Sequence, residues 1–468
     1  MIIGGFFLEN AAQAQEVDEA FLFMGNQVAM RGHLQAGLYL AAEGDAFWNL
    51  AEAVDPDAGY DPRKSWQEAY AKLGVSFESR LKGGSTLYGK FSAVSSYTRG
   101  SDPFDQGDNG ATTVEEAYLA FRGPHTDALT YDLSLGPREF KVGNGMLISS
   151  GAASGFERGA LKFGPRKAWE MAAIAKLSVG GLSSAAFYLE PNELPSNDGG
   201  NALAGVDLRY GGAGGGDLGL TYVAVLSSYS PYPQAAPGGF GPPEILAGAR
   251  ETTQTVAVYG ATAPFEGILA DWEFTADLAL QRNMKVDLRA WAGRVQASYS
   301  FADLDWSPRI TLGYQTFSGD DPNTSTLERF DPLYYEGSPS AWATGTKSAS
   351  TFINSNVNSL SVSVQLAPSK RDKLTARYAH IRANELRSPI QFGQATRVDT
   401  NGPIANVVSG VTAHNLADDF FIEYSHILNR NTFLTAGVAV SFPGSGIRNI
   451  VGNSDPWTGS FINLVINY

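Results

Sequence analysis

The last nine residues read Ser460-Phe-Ile-Asn-Leu-Val-Ile-Asn-Tyr468 and carry an apolar set at every second position. Ile462, Leu464, Ile466 and Tyr468 fall on one face of an extended strand, with Asn463 and Asn467 around Val465 on the other. Apolar groups toward lipid and polar groups toward a wet lumen are what a membrane-spanning barrel strand requires, and such barrels usually end on an aromatic residue. A soluble sandwich can also close on an alternating strand, so the rest of the chain must decide.

Upstream, the same period recurs. Leu73, Val75 and Phe77 oppose Lys72, Ser76 and Glu78, and Leu87, Phe91 and Ala93 oppose Tyr88, Lys90 and Ser92, with Gly83-Gly84-Ser85 turning between them. Val206, Leu208 and Tyr210 oppose Asp207 and Arg209, and a Gly-rich turn from Gly211 to Gly216 follows. Trp272, Phe274, Ala276, Leu278 and Leu280 oppose Glu273, Thr275, Asp277 and Gln281. Tight turns at 303–308, 367–370 and 429–431 separate further alternating runs. Counting such segments predicts an all-β fold, a transmembrane antiparallel up-and-down β-barrel of about eighteen strands, wide enough for an aqueous channel. Long segments rich in Pro, Asn, Asp and Gly at 42–65, 99–113, 191–201, 228–250, 318–356 and 383–415 are expected to cover the outer mouth or narrow the lumen. The irregular stretch Met146 to Gly159 reads as a turn or an inward fold.

Composition agrees with this reading. The 468 residues include 52 Gly and 12% aromatics, at a mean hydropathy of −0.15, and no run of about eighteen apolar residues exists to form a membrane helix. Cysteine is absent, which excludes disulfides and thiolate metal sites. Ile2 to Leu8 is apolar and Ala12-Gln13-Ala14 offers an A-x-A cleavage site, although no basic residue precedes the run and Glu9 follows it. The expected organisation is a signal-peptide remnant over 1–14 and one channel domain over 15–468, in the outer membrane of a Gram-negative bacterium.

Three segments carry a family resemblance. Phe301-Ala-Asp-Leu-Asp-Trp-Ser-Pro-Arg309, Phe317-Ser-Gly-Asp-Asp-Pro322 and Arg329-Phe-Asp-Pro-Leu-Tyr334, in that order, resemble the alginate export family of outer-membrane porins. Val114 to Leu119 and Gly136 to Gly143 resemble that family's paired strands, which extends the resemblance over about residues 100 to 468. It implies an eighteen-stranded barrel that passes an anionic polysaccharide along an arginine-lined pore, with loops restricting leakage. Glu139 beside Arg138 departs from the family's usual pattern and dilutes a purely cationic constriction.

A polyuronate entering a narrow pore sheds counterions and part of its hydration, and fixed guanidinium groups can replace both. By phase, the lumen-facing bases are Lys72, Arg80, Lys90, Arg209, Arg294, Arg309, Lys373 and Arg377, with Arg138, Lys141, Arg158, Arg166 and Lys167 in the irregular stretch. The candidate pore lining is Arg80, Lys90, Arg138, Arg158, Arg209, Arg294, Arg309, Lys373 and Arg377. Glu78, Asp207, Glu273, Asp277 and Glu423 are available to pair with them, so a general or carbohydrate-specific porin with structural bases is the alternative. The net charge of −14 is unattractive to a polyanion at long range, but acidic loops at 43–61, 102–108 and 320–331 hold much of it away from the wall.

Catalysis is not expected. The five histidines are His33, His125, His380, His414 and His426, and Ser425 next to His426 must point to the opposite face of its strand. Asp102, Asp105, Asp108 and Asn109, or Asp320, Asp321 and Asn323, suit solvated turns better than a calcium loop. No cofactor, metal or nucleic acid is expected. The partners are an anionic polysaccharide or oligosaccharide, outer-membrane lipid, and a periplasmic export or assembly protein.

Overall fold

The computed structural model of the chain describes residues 21–123, 129–211, 216–262, 267–337, 342–345, 352–392, 407–452 and 455–468; residues 1–14, where a signal-peptide remnant is expected, and most of the Gly211 to Gly216 turn lie outside them. The wall strands are β1 (Val28–Gly44), β2 (Lys64–Arg80), β3 (Thr86–Ser101), β4 (Asn109–Arg122), β5 (Thr130–Leu135), β6 (Met171–Val179), β7 (Leu182–Glu190), β8 (Ala202–Gly211) and β9 (Asp217–Ser227). They continue with β10 (Gln254–Ala261), β11 (Trp272–Asn283), β12 (Leu288–Ser300), β13 (Arg309–Phe317), β14 (Val357–Ser369), β15 (Asp372–Ala383), β16 (Asn415–Asn429), β17 (Thr432–Pro443) and β18 (Trp457–Asn467). Each pairs antiparallel with its sequence neighbours. The carboxyl-terminal strand closes the ring, with Gln35 of β1 opposite Asn467 and Ala36 opposite Ile466. A further four-residue strand, Phe21–Met24, pairs with β1 beyond the end of β18.

Closure leaves no unpaired edge to face hydrocarbon, which is why a strand-built protein can span a membrane at all. The alternation then sorts side chains by face. Leu73, Leu119, Leu208, Leu278, Leu312, Val438 and Ile462 are exposed on the outside. Near the end that carries the short turns, outward Trp272 stacks on Phe274 at 5.6 Å and meets Tyr299 edge-on at 5.1 Å, part of an interfacial aromatic girdle. Chain ends and most short turns share one side, the periplasmic one, and the long connections lie on the other, outer side together with the short 284–287 turn. The barrel is an outer-membrane protein. A concavity of about 830 Å³ lined by Leu119, Leu133, Ala175 and Ala186 opens on this lipid-facing surface, away from the lumen.

The main hydrophobic core lies inside the outer half of the barrel. Trp48, Ile148, Trp169, Phe330, Leu333, Trp342 and Phe352 come from three connections, 45–63, 136–170 and 318–356, and are all buried there. Each such aliphatic or aromatic side chain removed from water contributes roughly 1.5–3 kcal/mol. The loops therefore form a seated plug, as expected of connections of this length.

One expectation needs correction. Gly136 to Gly143 is not a wall strand; within it only Arg138 makes a bridge, to Trp169. Gly136 adopts φ +115°, and a Cβ there would stand 2.5 Å from the Ala117 carbonyl oxygen. With Pro137 next, the chain leaves the sheet after Leu135 and runs inward until Met171.

Candidate functional site

The inward segment 136–170 enters the lumen, and its docking is built into the wall. At Asn144 to Met146 it reaches β11 and the 318–356 connection: Asn144 donates to Asp277, and Trp342 Nε1 donates to the Asn144 carbonyl at 3.1 Å. Further on it lies against β2 to β4. The Glu68 carboxylate accepts the backbone N–H of Lys162 at 3.0 Å and of Phe163 at 3.0 Å, and the Trp66 indole N–H at 2.9 Å. A bulge in β4 skips Glu115, so Glu115 and Glu116 are both buried inside. Glu115 accepts the amides of Lys167 at 2.7 Å and Ala168 at 3.0 Å, while Glu116 holds Lys90 at 2.6 Å.

Two of the bases on this segment are bound by neutral oxygens of the fold. Arg158 is buried and donates to the carbonyls of Ala153, Asn192 and Glu193. Arg166 donates to Thr113, Ser96 and the Ala111 carbonyl, and burial among neutral acceptors pulls its guanidinium down to about 10.

The remaining candidates distribute along the wall. Arg294 is buried, salt-bridged to Asp277 at 3.0 Å, with its guanidinium 3.5 Å from the Trp342 ring centroid. Arg309 pairs with Glu273 at 3.1 Å, Arg209 lies 3.9 Å from Asp217, and Arg377 donates to the Gly345 carbonyl. Lys373 stands opposite Ser425 near the periplasmic end, and Arg80 is exposed at the end of β2. Arg80, Arg209, Arg309 and Lys373 thus share the periplasmic mouth, while Arg294 and Arg158 are enclosed higher up.

Arg138 lies at a different place, where the chain leaves β5 for the lumen. It opens the inward segment, half-buried, and makes no ion pair among the described residues; its Nε and Nη1 have no hydrogen-bond partner. Its guanidinium stands 4.3 Å from the Tyr118 centroid. Tyr118 meets Tyr88 edge-on at 6.3 Å, Arg122 lies 5.0 Å over Tyr88, and Lys176 lies 5.7 Å from the Phe140 ring. Tyr88 donates to Asp132 at 2.6 Å, which fixes the ring, and Lys72 and Lys90 stand alongside, bound to Glu115, Glu116 and Glu139. Cations and aromatic faces are interleaved on one side of the lumen, a surface that offers forks to carboxylates and flat rings to sugar faces. Tyr88, Tyr118 and Lys176 were not among the candidate residues, although their period-two positions beside Lys90 place them on the same face.

The acidic outer loops act as turn and anchor formers. Asp102 Oδ1 accepts the amides of Phe104 and Gln106, and Asp320 accepts those of Ala235 at 2.7 Å and Glu328 at 2.8 Å. Burial raises both carboxyls from 3.8 to about 6. A folded-state pKa above the unfolded one means the folded loops bind protons more tightly. The associated stability is full below about pH 4 and is lost as the pH rises to about 6, on the order of 1 kcal/mol per group and pH unit. Amide exchange in 228–253 and 318–337 should therefore be slower at pH 5 than at pH 8 after correction for intrinsic rates. Asp320→Asn should flatten that difference at Ala235 and Glu328; an unchanged slope in the variant would refute the assignment.

A closed barrel with this wall and lumen defines an outer-membrane channel. The family model described as alginate export matches residues 249–459, so the resemblance read at 301–334 holds over the carboxyl-terminal part of the chain, while the earlier segments 114–119 and 136–143 lie outside the match. No curated protein matches this chain. Among solved structures, OccK5 (OpdH) of Pseudomonas aeruginosa is similar at 9% identity, covering 94% of this chain and 98% of its own, with a TM-score of 0.49. OccK11 (OpdR) of the same organism shows 12% identity, 93% and 95% coverage and a TM-score of 0.48. OmpF of Salmonella typhi, in complex with daunomycin, shows 11%, 95% and 99%, and 0.42. The barrel assignment rests on the strand ladder itself.

Proposed function

We propose that the channel passes an anionic polysaccharide or oligosaccharide of the alginate type, guided by the basic and aromatic face of the lumen. The observation that carries this reading is Arg138, a guanidinium held over Tyr118 with, among the described residues, no carboxylate partner and two unpartnered nitrogens. A wall built only for rigidity pairs its cations, because an unpaired half-buried charge is expensive. Exposed Arg80 at the periplasmic mouth supports entry of a polyanion from the periplasm. The family match over 249–459 supports a polyuronate as the polymer.

The competing reading, a general porin whose bases brace the wall, is favoured by the ion pairs Arg294 to Asp277 and Arg309 to Glu273. The two part in planar bilayers. The reading proposed here expects anion selectivity, and current block by short oligouronates that exceeds block by neutral oligosaccharides of equal length. Cation selectivity, or equal block by both sugars, would leave the bracing role as the explanation.

A further inference from the structure

The outer wall sets two like charges face to face. Arg282 near the outer end of β11 and Arg289 near the start of β12 are register partners, so their Cβ atoms are about 5 Å apart on the lipid side. Leu280 and Trp291, the next register pair on that face, are 56% and 45% exposed, which fixes the face and places the arginines one step beyond an interfacial tryptophan. Like charges directly opposite each other destabilise a ladder. Asp287 offsets Arg289 in part, with Nη2 to Oδ1 at 3.3 Å, and Glu251 takes Lys285 of the connecting turn. Arg282 has no carboxylate partner among the described residues, and its neighbour on β10 is the neutral Gln254.

We propose that Arg282 and Arg289 clamp a phosphate of an outer-leaflet glycolipid. Two guanidinium forks match phosphate oxygens bidentately, and an anion between them turns their repulsion into charge-assisted hydrogen bonds. The connection over this pair is only residues 284–287, so no long loop of its own covers it. Below the pair, Leu278, Leu280, Trp291 and Val295 are exposed and give acyl chains an apolar path, and Met284 above is 81% exposed. That path is what separates a lipid headgroup from free phosphate as the ligand.

The test uses the full chain in detergent with three probes: phosphorylated lipid A, its dephosphorylated form, and inorganic phosphate. Native mass spectrometry should show retention of phosphorylated lipid A, with a rise in melting temperature. Arg282→Gln with Arg289→Gln should weaken retention roughly tenfold or more, as loss of charged hydrogen bonds does. In lipid-free detergent the same variant should melt no lower than the parent, because its ladder has lost a like-charge pair; this separates a binding role from a structural one. Equal retention by the variant, equal binding of the dephosphorylated lipid, or the same stabilisation by inorganic phosphate alone would each overturn the proposal.

Discussion

Arg250→Leu should loosen the plug in the outer half of the barrel and raise single-channel conductance while leaving the wall folded. Arg250 and Asp331 form a bidentate pair, Nε to Oδ2 at 2.6 Å and Nη2 to Oδ1 at 2.9 Å, with side chains only 1% and 2% exposed. The pair joins two connections, 228–253 and 318–356. Asp331 is also tied to the wall, since its amide donates to Gln281 Oε1 of β11 at 2.8 Å and its carbonyl accepts from Gln281 Nε2 at 2.6 Å. Removing one partner strands a buried charge, at about 3–5 kcal/mol. That energy falls on the loops, because the ladder of β10 and β11 does not depend on it. The expected signature is proteolytic nicking near residue 330 and larger, noisier currents, with unchanged heat-modifiable migration on gels. Arg250→Leu combined with Asp331→Leu should recover much of the loss, since neither charge is then left alone. A single variant as quiet and as protease-resistant as the parent would disprove the role.

The wall was legible in the sequence because the demand for lipid outside and water inside imposes period two on every strand. Ile462 and its neighbours obey it, and so do Lys72 against Leu73 and Asp277 against Leu278. The pairing of Arg294 with Asp277 was within reach for the same reason, since opposite charges on one face of neighbouring strands find each other, and Arg309 reaches Glu273 on the same face across the intervening β12. The lumen's contents were less legible. Seating of the 136–170 segment depends on Glu68, Glu115 and Asp277, which are remote in sequence and receive mostly backbone N–H donors that every residue possesses. The bulge that buries both Glu115 and Glu116 breaks the alternation on which phase reading relies. The residue type of Arg158 suits a polyanion, but the carbonyl oxygens it meets in the fold leave no mark on the local sequence.

Arg138 is the residue at which the proposed function is most exposed to refutation. Replacing it by Glu changes the local charge by two units at a half-buried site. For an ion about 7 Å away at an effective dielectric near 20, that is roughly 5 kcal/mol before screening. Salt at physiological strength, with a Debye length of about 8 Å, removes much of it. A residual on the order of 1.4 kcal/mol is a tenfold change in the anion-to-cation permeability ratio. Arg138→Glu should therefore shift the reversal potential strongly toward cations, whereas Arg80→Glu, exposed and at the wide mouth, should shift it little. Arg138→Lys separates charge from geometry. It keeps the cation but loses the planar fork and its contact with Tyr118, so small-anion selectivity should persist while block by oligouronates weakens. Tyr118→Leu should weaken that block in the same way, because it removes the ring on which the guanidinium is held. If Arg138→Glu left both selectivity and block unchanged, the lumen's bases would be structural and the polyuronate reading would fall.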